Sequence, residues 1–252
     1  MKKLSYITII CLGFILCCTT KCFATTYSFA DIKYDTVPKE ISVSNRETNT
    51  FESLTLTQTK EDDIPTLAEY LMDPDVTRYL DRLPIEFHNL EEAKAHLKEN
   101  SGLKKDSKTI SYTIKLEDGT PIGQVDFTLF EQCPTYNNTI NVGYWIGKPY
   151  WGRGIASEAT KILSNIVINA SDVDTLYIGF NPENKGSAKM SPKIFDYLED
   201  QNKQLIFTQE IRTYPAAEYE GHTLSETKGH FLKKQPPQIN QEDNKQTEEQ
   251  RS

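Results

Sequence analysis

Two glycines in the stretch PYWGRGIASEA, residues 149–159, lie where a strand-like segment gives way to a helical pattern. The first N–H groups of a helix have no internal partner and lie at the positive end of its dipole, so anions bind there. Gly152 and Gly154 would let the backbone bend until successive N–H groups converge. Their spacing matches neither G-x-x-x-x-G-K-[ST] nor G-x-G-x-x-G, which argues against nucleotide hydrolysis and dinucleotide binding. The stretch indicates either a phosphate-binding turn or a packed corner without a ligand.

Basic side chains favour the phosphate-binding alternative. The chain carries a net charge of -8, yet lysines and one arginine follow the two segments that would flank such a site. They are Lys148, Arg153 and Lys161 around the turn, and Lys185, Lys189 and Lys193 after the next strand. If the two strand ends are adjacent, these residues form a basic rim that attracts an anionic ligand. The acidic charge of the whole chain argues against nucleic acid as a partner.

The sequence lacks a pattern of metal ligands. Its four histidines do not have metal-binding spacing, and four of its five cysteines fall within residues 1–24, which leaves Cys133 alone. We therefore predict no metal site.

Residues 1–24 differ in composition from the rest of the chain. Lys2 and Lys3 precede an apolar run over 7–18, and Ala24 precedes a polar segment. This pattern is typical of a secretory signal peptide cut after Ala24. We expect export to the periplasm or out of the cell. The alternatives are an uncleaved leader, which would be the protein's only contact with a membrane, and a cytoplasmic protein whose start is wrongly assigned.

Composition divides the rest of the chain into three parts. Residues 25–49 are polar and poorly patterned, and we interpret them as a linker. Residues 50–234 hold the apolar periodicities of one folded domain. Residues 235–252 have almost nothing apolar to bury, which predicts a disordered polar tail.

Strand and helix periodicities alternate along the domain. They predict a strand over 53–59, a helix over 64–72 capped by Asp62 or Asp63, a helix from Asn89, a hairpin over 111–130 that turns at Asp118 and Gly119, a strand over 140–146, a helix over 155–167, a strand over 175–180, a helix from Ser187, and closing strands over 204–211 and 229–234. Pro192 disfavours the helix from Ser187. The order predicts an α+β fold around a mixed sheet.

The segment GYWIGKPYWGRGIASEA resembles motif A of the GNAT superfamily of acetyl-CoA-dependent N-acetyltransferases, in the branch of the RimJ- and RimL-like ribosomal-protein N-terminal acetyltransferases. The segments MDPDVTRYL, LEDGTPIGQVDF and NPENKGS are similar to other parts of the same branch. The resemblance implies the GNAT fold, a mixed central sheet that is splayed between its fourth and fifth strands and flanked by helices.

The resemblance also implies a binding site for acetyl-CoA. The pyrophosphate of coenzyme A would lie on the turn Trp151, Gly152, Arg153, Gly154, Ile155 and Ala156, where Trp151 replaces the usual Arg or Gln. The pantetheine arm would enter the split between the strands ending at Ile146 and Phe180, held by backbone groups around Ile146. Asn184 and Ser187 match the N-x-x-S positions near that arm.

The implied reaction is direct attack of an amine, on a protein N-terminus or a small molecule, on the thioester. Two positions depart from the family. Asn141 stands where many relatives have a glutamate, and Ser191 stands where the tyrosine that protonates the leaving thiolate is usual. These two residues are the only candidates for catalysis, and the catalytic acid and base stay unassigned. A degenerate GNAT domain that binds coenzyme A or a protein without turnover is the alternative function.

Overall fold

The computed structural model describes residues 39–45, 50–81, 85–104, 107–130, 138–170, 173–219 and 222–235. The strands are β1 (Lys39–Asn45), β2 (Thr50–Gln58), β3 (Thr109–Leu116), β4 (Pro121–Phe130), β5 (Thr139–Ile146), β6 (Thr175–Phe180), β7 (Phe207–Tyr214), β8 (Ala217–Tyr219), β9 (His222–Leu224) and β10 (Thr227–Lys234). The α-helices are α1 (Ile64–Leu71), α2 (Pro74–Thr77), α3 (Leu90–Asn100), α4 (Ile155–Ala170) and α5 (Lys185–Gln201). Short 3-10 helices cover Glu61–Asp63 and Lys148–Tyr150.

Eight strands form one mixed sheet in the order β1-β2-β3-β4-β5-β6-β10-β7, and β8 and β9 form a separate hairpin. The pair β5 and β6 is parallel, and its neighbours pair antiparallel. The parallel pairing covers only Thr139–Asn141 against Thr175–Tyr177, although both strands continue for several residues. The sheet is therefore split between β5 and β6, as the GNAT resemblance predicted.

The core has a cluster on each face of this sheet. On one face, α4 presents a stripe of fully buried apolar residues at helical spacing, and α5 packs beside it. That stripe comprises Ile155, Ala159, Leu163 and Val167. On the other face, α1, α2 and α3 pack together around Trp145 of β5. The sheet is therefore covered by helices on both faces.

Several elements confirm the sequence predictions. The hairpin of β3 and β4 turns at Asp118, whose Oδ1 accepts a hydrogen bond from the Thr120 N–H at 2.9 Å. Helix α3 begins after Asn89, whose side chain accepts from the Glu92 N–H, while Glu92 accepts in return from the His88 N–H. Local turn and capping chemistry was sufficient to predict both features.

The linker assigned to residues 25–49 is wrong for its C-terminal part, because Lys39–Asn45 forms the edge strand β1. Ile41 and Val43 alternate with polar residues and are buried against β2. The strand is short and otherwise polar, so its alternation did not stand out in the sequence. Because β1 adds a strand, the split lies between the fifth and sixth strands in chain order rather than the fourth and fifth.

The capping role predicted for Asp63 is also wrong. Its side chain makes no capping hydrogen bond to α1 and is instead buried toward β3. There it accepts from Thr113 Oγ1 at 3.0 Å and forms an ion pair with Lys115 Nζ at 2.6 Å. The 3-10 turn before α1 rotates the carboxylate away from the helix end, and a second bond, from the Lys60 N–H, closes that turn.

Helix α5 begins at Lys185 and continues through Pro192, although a proline disfavours a helix interior. Pro192 is exposed, so its ring lies on the solvent side of the helix. Three buried side chains from the following two turns, Ile194, Phe195 and Leu198, hold that helix on the sheet. Their burial offsets the hydrogen bond that the proline nitrogen cannot donate.

The predicted leader and all but the first residue of the predicted tail lie outside the described residues. Within the described ranges, no helix is long and apolar enough to cross a membrane.

Candidate active site

The glycine turn links β5 to α4 at the end of the split. Gly152 and Gly154 have φ angles of 77° and 80°, the left-handed conformation that favours glycine. A Cβ atom added at Gly152 would meet nothing within 4 Å, and one at Gly154 would meet only Val43 Cγ1 at 3.9 Å. The glycines are therefore required by the backbone conformation, and the space around them is open.

The backbone N–H groups of this turn and of the start of α4 have no hydrogen-bond partner among the described residues. In the part of the chain that the structure describes, the six consecutive N–H groups of residues 152–157 make no hydrogen bond, and the first bonded one belongs to Glu158, which donates to the Gly154 carbonyl. Such groups at a helix start carry partial positive charge and bind anions. The turn has the chemistry of a phosphate site.

A cleft of about 1150 Å³ joins this turn to the split between β5 and β6. One wall consists of the turn, the start of α4 and the first turns of α5. The opposite wall comes from α2, the segment that follows it, and α3. The floor consists of β4 and β5, and the cleft therefore runs from the glycine turn across the middle of the sheet.

A family model described as an acetyltransferase (GNAT) domain matches residues 53–194. The chain belongs to the GNAT acetyltransferase family. The matched range contains the glycine turn, the split and most of the cleft walls. The resemblance drawn from the sequence of the turn is thereby confirmed.

Individual relatives agree with this assignment. An uncharacterized N-acetyltransferase p20 from Bacillus licheniformis is 28% identical over 145 residues, which are 57% of this chain and 79% of the relative. RimJ from Mycobacterium smegmatis, solved in complex with CoA-disulfide, has a TM-score of 0.56 at 14% identity over 79% of this chain and 88% of that one. RimL, a ribosomal L7/L12 alpha-N-protein acetyltransferase solved with coenzyme A, has a TM-score of 0.54 at 22% identity. The match covers 71% of this chain and 92% of that one. At these identities the solved structures show a common fold.

The GNAT turn is tied to the end of β5 by Trp151. Its indole Nε1 donates to the Ile146 carbonyl oxygen at 2.8 Å, although the residue is 46% exposed. Ile146 lines the cleft, and this bond occupies one of the two lone pairs of its carbonyl oxygen. The backbone group that the resemblance assigned to the pantetheine arm therefore already has one partner inside the protein.

Asn184 and Ser187 both line the cleft, at the start of α5. Asn184 caps that helix, with its Oδ1 accepting from the Ser187 N–H at 3.1 Å. Ser187 Oγ lies 2.8 Å from the Tyr144 hydroxyl, a contact that bridges the split from α5 to β5. Burial raises the pKa of Tyr144 to about 12, with the Ser187 hydroxyl acting in the opposite direction, so this tyrosine stays protonated at neutral pH.

The predicted basic rim is largely wrong, because its cations near the turn have acidic partners. Arg153 pairs with Glu52 of β2 at 2.9 Å and also donates to the Pro149 carbonyl. Lys148 pairs with Asp75 at 2.6 Å and Asp73 at 3.4 Å, and Lys161 pairs with Glu158 at 2.8 Å. Lys185 donates to the Pro182 carbonyl. Lys189 and Lys193 of α5 line the cleft without an ion pair among the described residues.

The two catalytic candidates from the sequence lie in different environments. Asn141 lines the cleft on β5. Ser191 is 1% exposed and is not among the cleft-lining residues; its hydroxyl lies 3.2 Å from His230 Nδ1 in the core. His230 in turn contacts Gln209 Oε1 through Nε2 at 3.0 Å. Ser191 thus links α5 to β10 and does not face the reaction space.

Sequence analysis missed Asp126, a carboxylate that lines the cleft from the middle of β4. Its Oδ1 is shielded from solvent and has no hydrogen-bond partner among the residues that the structure describes. Burial raises its pKa to about 7; the Ser111 hydroxyl on β3 lowers it by less, and the two groups do not have hydrogen-bond geometry. An acidic residue between buried Val125 and Phe127 in a strand was the available signal. Elsewhere in the described residues, no cluster of three His, Cys, Asp or Glu side chains suits a metal ion.

Proposed function

We propose that this GNAT protein transfers the acetyl group of acetyl-CoA to a primary amine, on a protein N-terminus or a small molecule. The row of unpartnered N–H groups over 152–157 is the observation that carries the proposal. A pyrophosphate supplies acceptors for several N–H groups at once, and the open space around Gly152 and Gly154 admits it. The coenzyme A complexes of the RimL and RimJ relatives support this assignment.

Different parts of the cleft would hold different parts of coenzyme A. Backbone N–H groups of the turn, from Gly152 to Ala156, would hold the pyrophosphate, with Trp151 bracing the turn. The unpaired edge of β5 that ends at Ile146 would hold the pantetheine arm as an added strand does. Asn184 and Ser187 would line its path on the other side of the split.

Acetyl-CoA brings an activated acetyl group, so the protein's contribution is positioning and proton transfer. Holding the amine and the thioester together in one cleft raises their effective concentration. The amine must lose a proton before it attacks, which requires a group in the cleft that accepts one. The RimL relative is a ribosomal L7/L12 alpha-N-protein acetyltransferase, which makes a protein N-terminus one acceptor class to test.

Binding is tested by alanine substitutions that share the same backbone strain. Gly152→Ala and Gly154→Ala each place a methyl group at a positive φ, as does Gly119→Ala in the turn between β3 and β4, outside the cleft. We expect the first two variants to weaken coenzyme A binding at least tenfold by calorimetry and Gly119→Ala to leave it unchanged. Equal affinity in all three variants would refute the assignment of the turn.

Turnover is tested by the release of free thiol from acetyl-CoA with a panel of amines that contains peptides with free N-termini, polyamines and amino sugars. Thiol release with any of them supports acetyl transfer. Tight coenzyme A binding without thiol release in the presence of any amine of the panel would instead favour the alternative, a degenerate GNAT domain. That alternative is supported by Asn141, which has an amide where many relatives have a carboxylate.

We also propose, from the composition of residues 1–24, that the chain is exported and loses its leader. Mass spectrometry of the native protein tests this point independently of activity. A chain that begins at Thr25 would support export, and one that begins at Met1 would contradict it. Export would require that the protein meet acetyl-CoA outside its own cytoplasm.

A further inference from the structure

The floor of the cleft holds one carboxylate on the central strands, and it belongs to Asp126. The residue lies at the middle of β4, and its neighbours on the same face of this strand, Gln124 and Thr128, also line the cleft. The amide nitrogen of Gln124 donates hydrogen bonds to the hydroxyl groups of Thr59 and Ser101. Asp126 Oδ1 has no partner, so the described residues leave a shielded carboxylate oxygen with its hydrogen-bonding capacity unused.

Space for a substrate exists directly beside this carboxylate. Asp126 lies opposite Gly143 in the register of β4 and β5. A Cβ atom at Gly143 would lie 3.7 Å from Asp126 Cβ and 3.8 Å from its Oδ2, in ordinary contact, but glycine leaves that position empty. Gly143 itself lines the cleft, so the gap opens toward the reaction space.

The next register pair on the same face joins Thr128 to Asn141. Side chains one such step apart along neighbouring antiparallel strands lie about 7–8 Å from each other across the diagonal. The carboxylate of Asp126 therefore occupies the same part of the cleft floor as the amide of Asn141, approached from the adjacent strand.

We propose that Asp126 is the general base that accepts a proton from the acceptor amine. The proposal rests on the acetyl transfer proposed above. The ammonium group gives one proton to the Asp126 carboxylate, and the nitrogen lone pair then forms a bond to the acetyl carbonyl carbon. The C–S bond breaks, and its electrons leave as the thiolate of coenzyme A. The nitrogen loses its second proton, which neutralises the thiolate, and Asp126 releases the first proton to solvent.

The electrostatic setting suits this role. No charged neighbour contributes to the raised pKa of Asp126, which comes from burial and leaves the carboxylate a stronger base than a solvated one. The titratable groups on the strands and helices packed against β4 are Tyr112 and Lys115 on β3, Tyr144 on β5, Glu69 and Tyr70 on α1, and Glu158 and Lys161 on α4. The other titratable or charged side chains that line the cleft are Asp75, Arg78, Tyr79, Asp81, His96, Tyr150, Arg153, Lys189 and Lys193. Lys115 is paired with Asp63, and Lys161 with Glu158.

His96 is the histidine among the described residues that line the cleft. Its Nδ1 lies 3.3 Å from Asn100 Nδ2, its ring packs edge-on against Phe87, and burial lowers its pKa. An imidazole held in this way already has a structural role, whereas the carboxylate oxygen of Asp126 does not.

The test uses Asp126→Asn in the full chain, with Asp62→Asn as a matched control at an exposed carboxylate outside the cleft. The acceptor is the best amine from the thiol-release panel, and kcat is measured from pH 5.5 to 9.5 with coenzyme A affinity measured in parallel. We expect the unmodified protein and Asp62→Asn to gain activity through an ionisation near pH 7. Asp126→Asn should lose this ionisation and about 100- to 1,000-fold in kcat at pH 8, with coenzyme A affinity unchanged.

Three outcomes would overturn the proposal. The first is Asp126→Asn activity within threefold of the unmodified protein with the same ionisation, which leaves acetyl transfer intact and requires another base. The second needs no variant: an Asp126 carboxyl carbon that titrates below about pH 5 by NMR in the unmodified protein. The third is absence of thiol release from the unmodified protein with every amine, which removes the proposed function together with this one.

Discussion

The indole N–H of Trp151 donates to the carbonyl oxygen of Ile146 across 2.8 Å, and this bond closes the corner between β5 and the glycine turn. The turn contains two glycines in the left-handed conformation, and the described residues offer no hydrogen-bond partner to the N–H groups of 152–157, so side-chain contacts have to hold it in place. Trp151 and Arg153, which pairs with Glu52 and donates to the Pro149 carbonyl oxygen, are the side chains that orient the glycine turn relative to the split in the sheet.

Replacing Trp151 by Phe should weaken coenzyme A binding roughly three- to tenfold, because a bond worth about 1 kcal/mol no longer orients the turn. Isothermal calorimetry measures the change. Trp151→Gln, which retains a side-chain N–H donor, should lose less affinity than Trp151→Phe. Unaltered binding by Trp151→Phe would mean that the turn is rigid without this bond.

Neutralising Glu52 should tighten coenzyme A binding. Glu52 pairs with Arg153 at 2.9 Å and cancels positive charge beside the anion-binding turn. In Glu52→Gln that charge is no longer balanced, and we expect roughly two- to fivefold higher affinity at low ionic strength, with the gain shrinking as salt is added. Glu40→Gln, at an exposed position on β1, is the control. A gain that does not depend on salt would point away from electrostatics.

Removing the buried carboxylate of Asp63 should lower the stability of the fold strongly. It is buried and accepts from Lys60, Thr113 and Lys115, so Asp63→Ala leaves a partly buried ammonium without its partner. We expect a loss of about 3 kcal/mol in the free energy of unfolding, measured in denaturant. The adjacent Asp62 is exposed, and Asp62→Ala should change stability by less than about 0.5 kcal/mol. Comparable losses from both variants would exclude the buried network as the cause.

Asp126 should make the protein less stable as pH rises. Its pKa is raised in the folded state to about 7, so between the ordinary value of 3.8 and 7 the unfolded chain ionises first. Ionisation then favours unfolding, and stability falls with pH through this window and stays low above it. Asp126→Asn removes the effect. The free energy of unfolding of Asp126→Asn, relative to the unmodified protein, should grow from no difference near pH 4 to a gain of a few kcal/mol at pH 8. A constant difference at all pH values would contradict the shifted pKa.

Local patterns predicted most of the fold. The apolar stripe of α4, the alternation in β5 and the Asp118 turn depend on residues within one or two turns of each other, and each appears in the structure. Strand β1 was missed because two apolar residues in a polar segment carry little signal until β2 provides the surface that buries them.

The backbone conformation of the candidate site was predicted from the sequence, but the contacts of its side chains were not. Gly152 and Gly154 predict a turn with left-handed backbone conformation before a helix, because that conformation depends on the local sequence. The partner of Arg153 lies 101 residues away in sequence and that of Lys148 lies 73 away, so no spacing rule anticipates that these cations are already paired. Ser191 was proposed from its place in a motif, yet its hydroxyl faces His230 in the core.

The sequence by itself determined the family and a glycine turn with unpaired N–H groups at the start of α4, because glycine conformation and the unpaired N–H groups of a helix start are local properties. Only the tertiary structure decided which charges stay free and which carboxylate faces the cleft. Those outcomes follow from strand order and register. The pairing of β4 with β5 places Asp126 opposite Gly143, which has no side chain to fill the space beside it, and the position of β2 in the sheet brings Glu52 to Arg153. Burial and ion pairing depend on residues that only the folded sheet brings together.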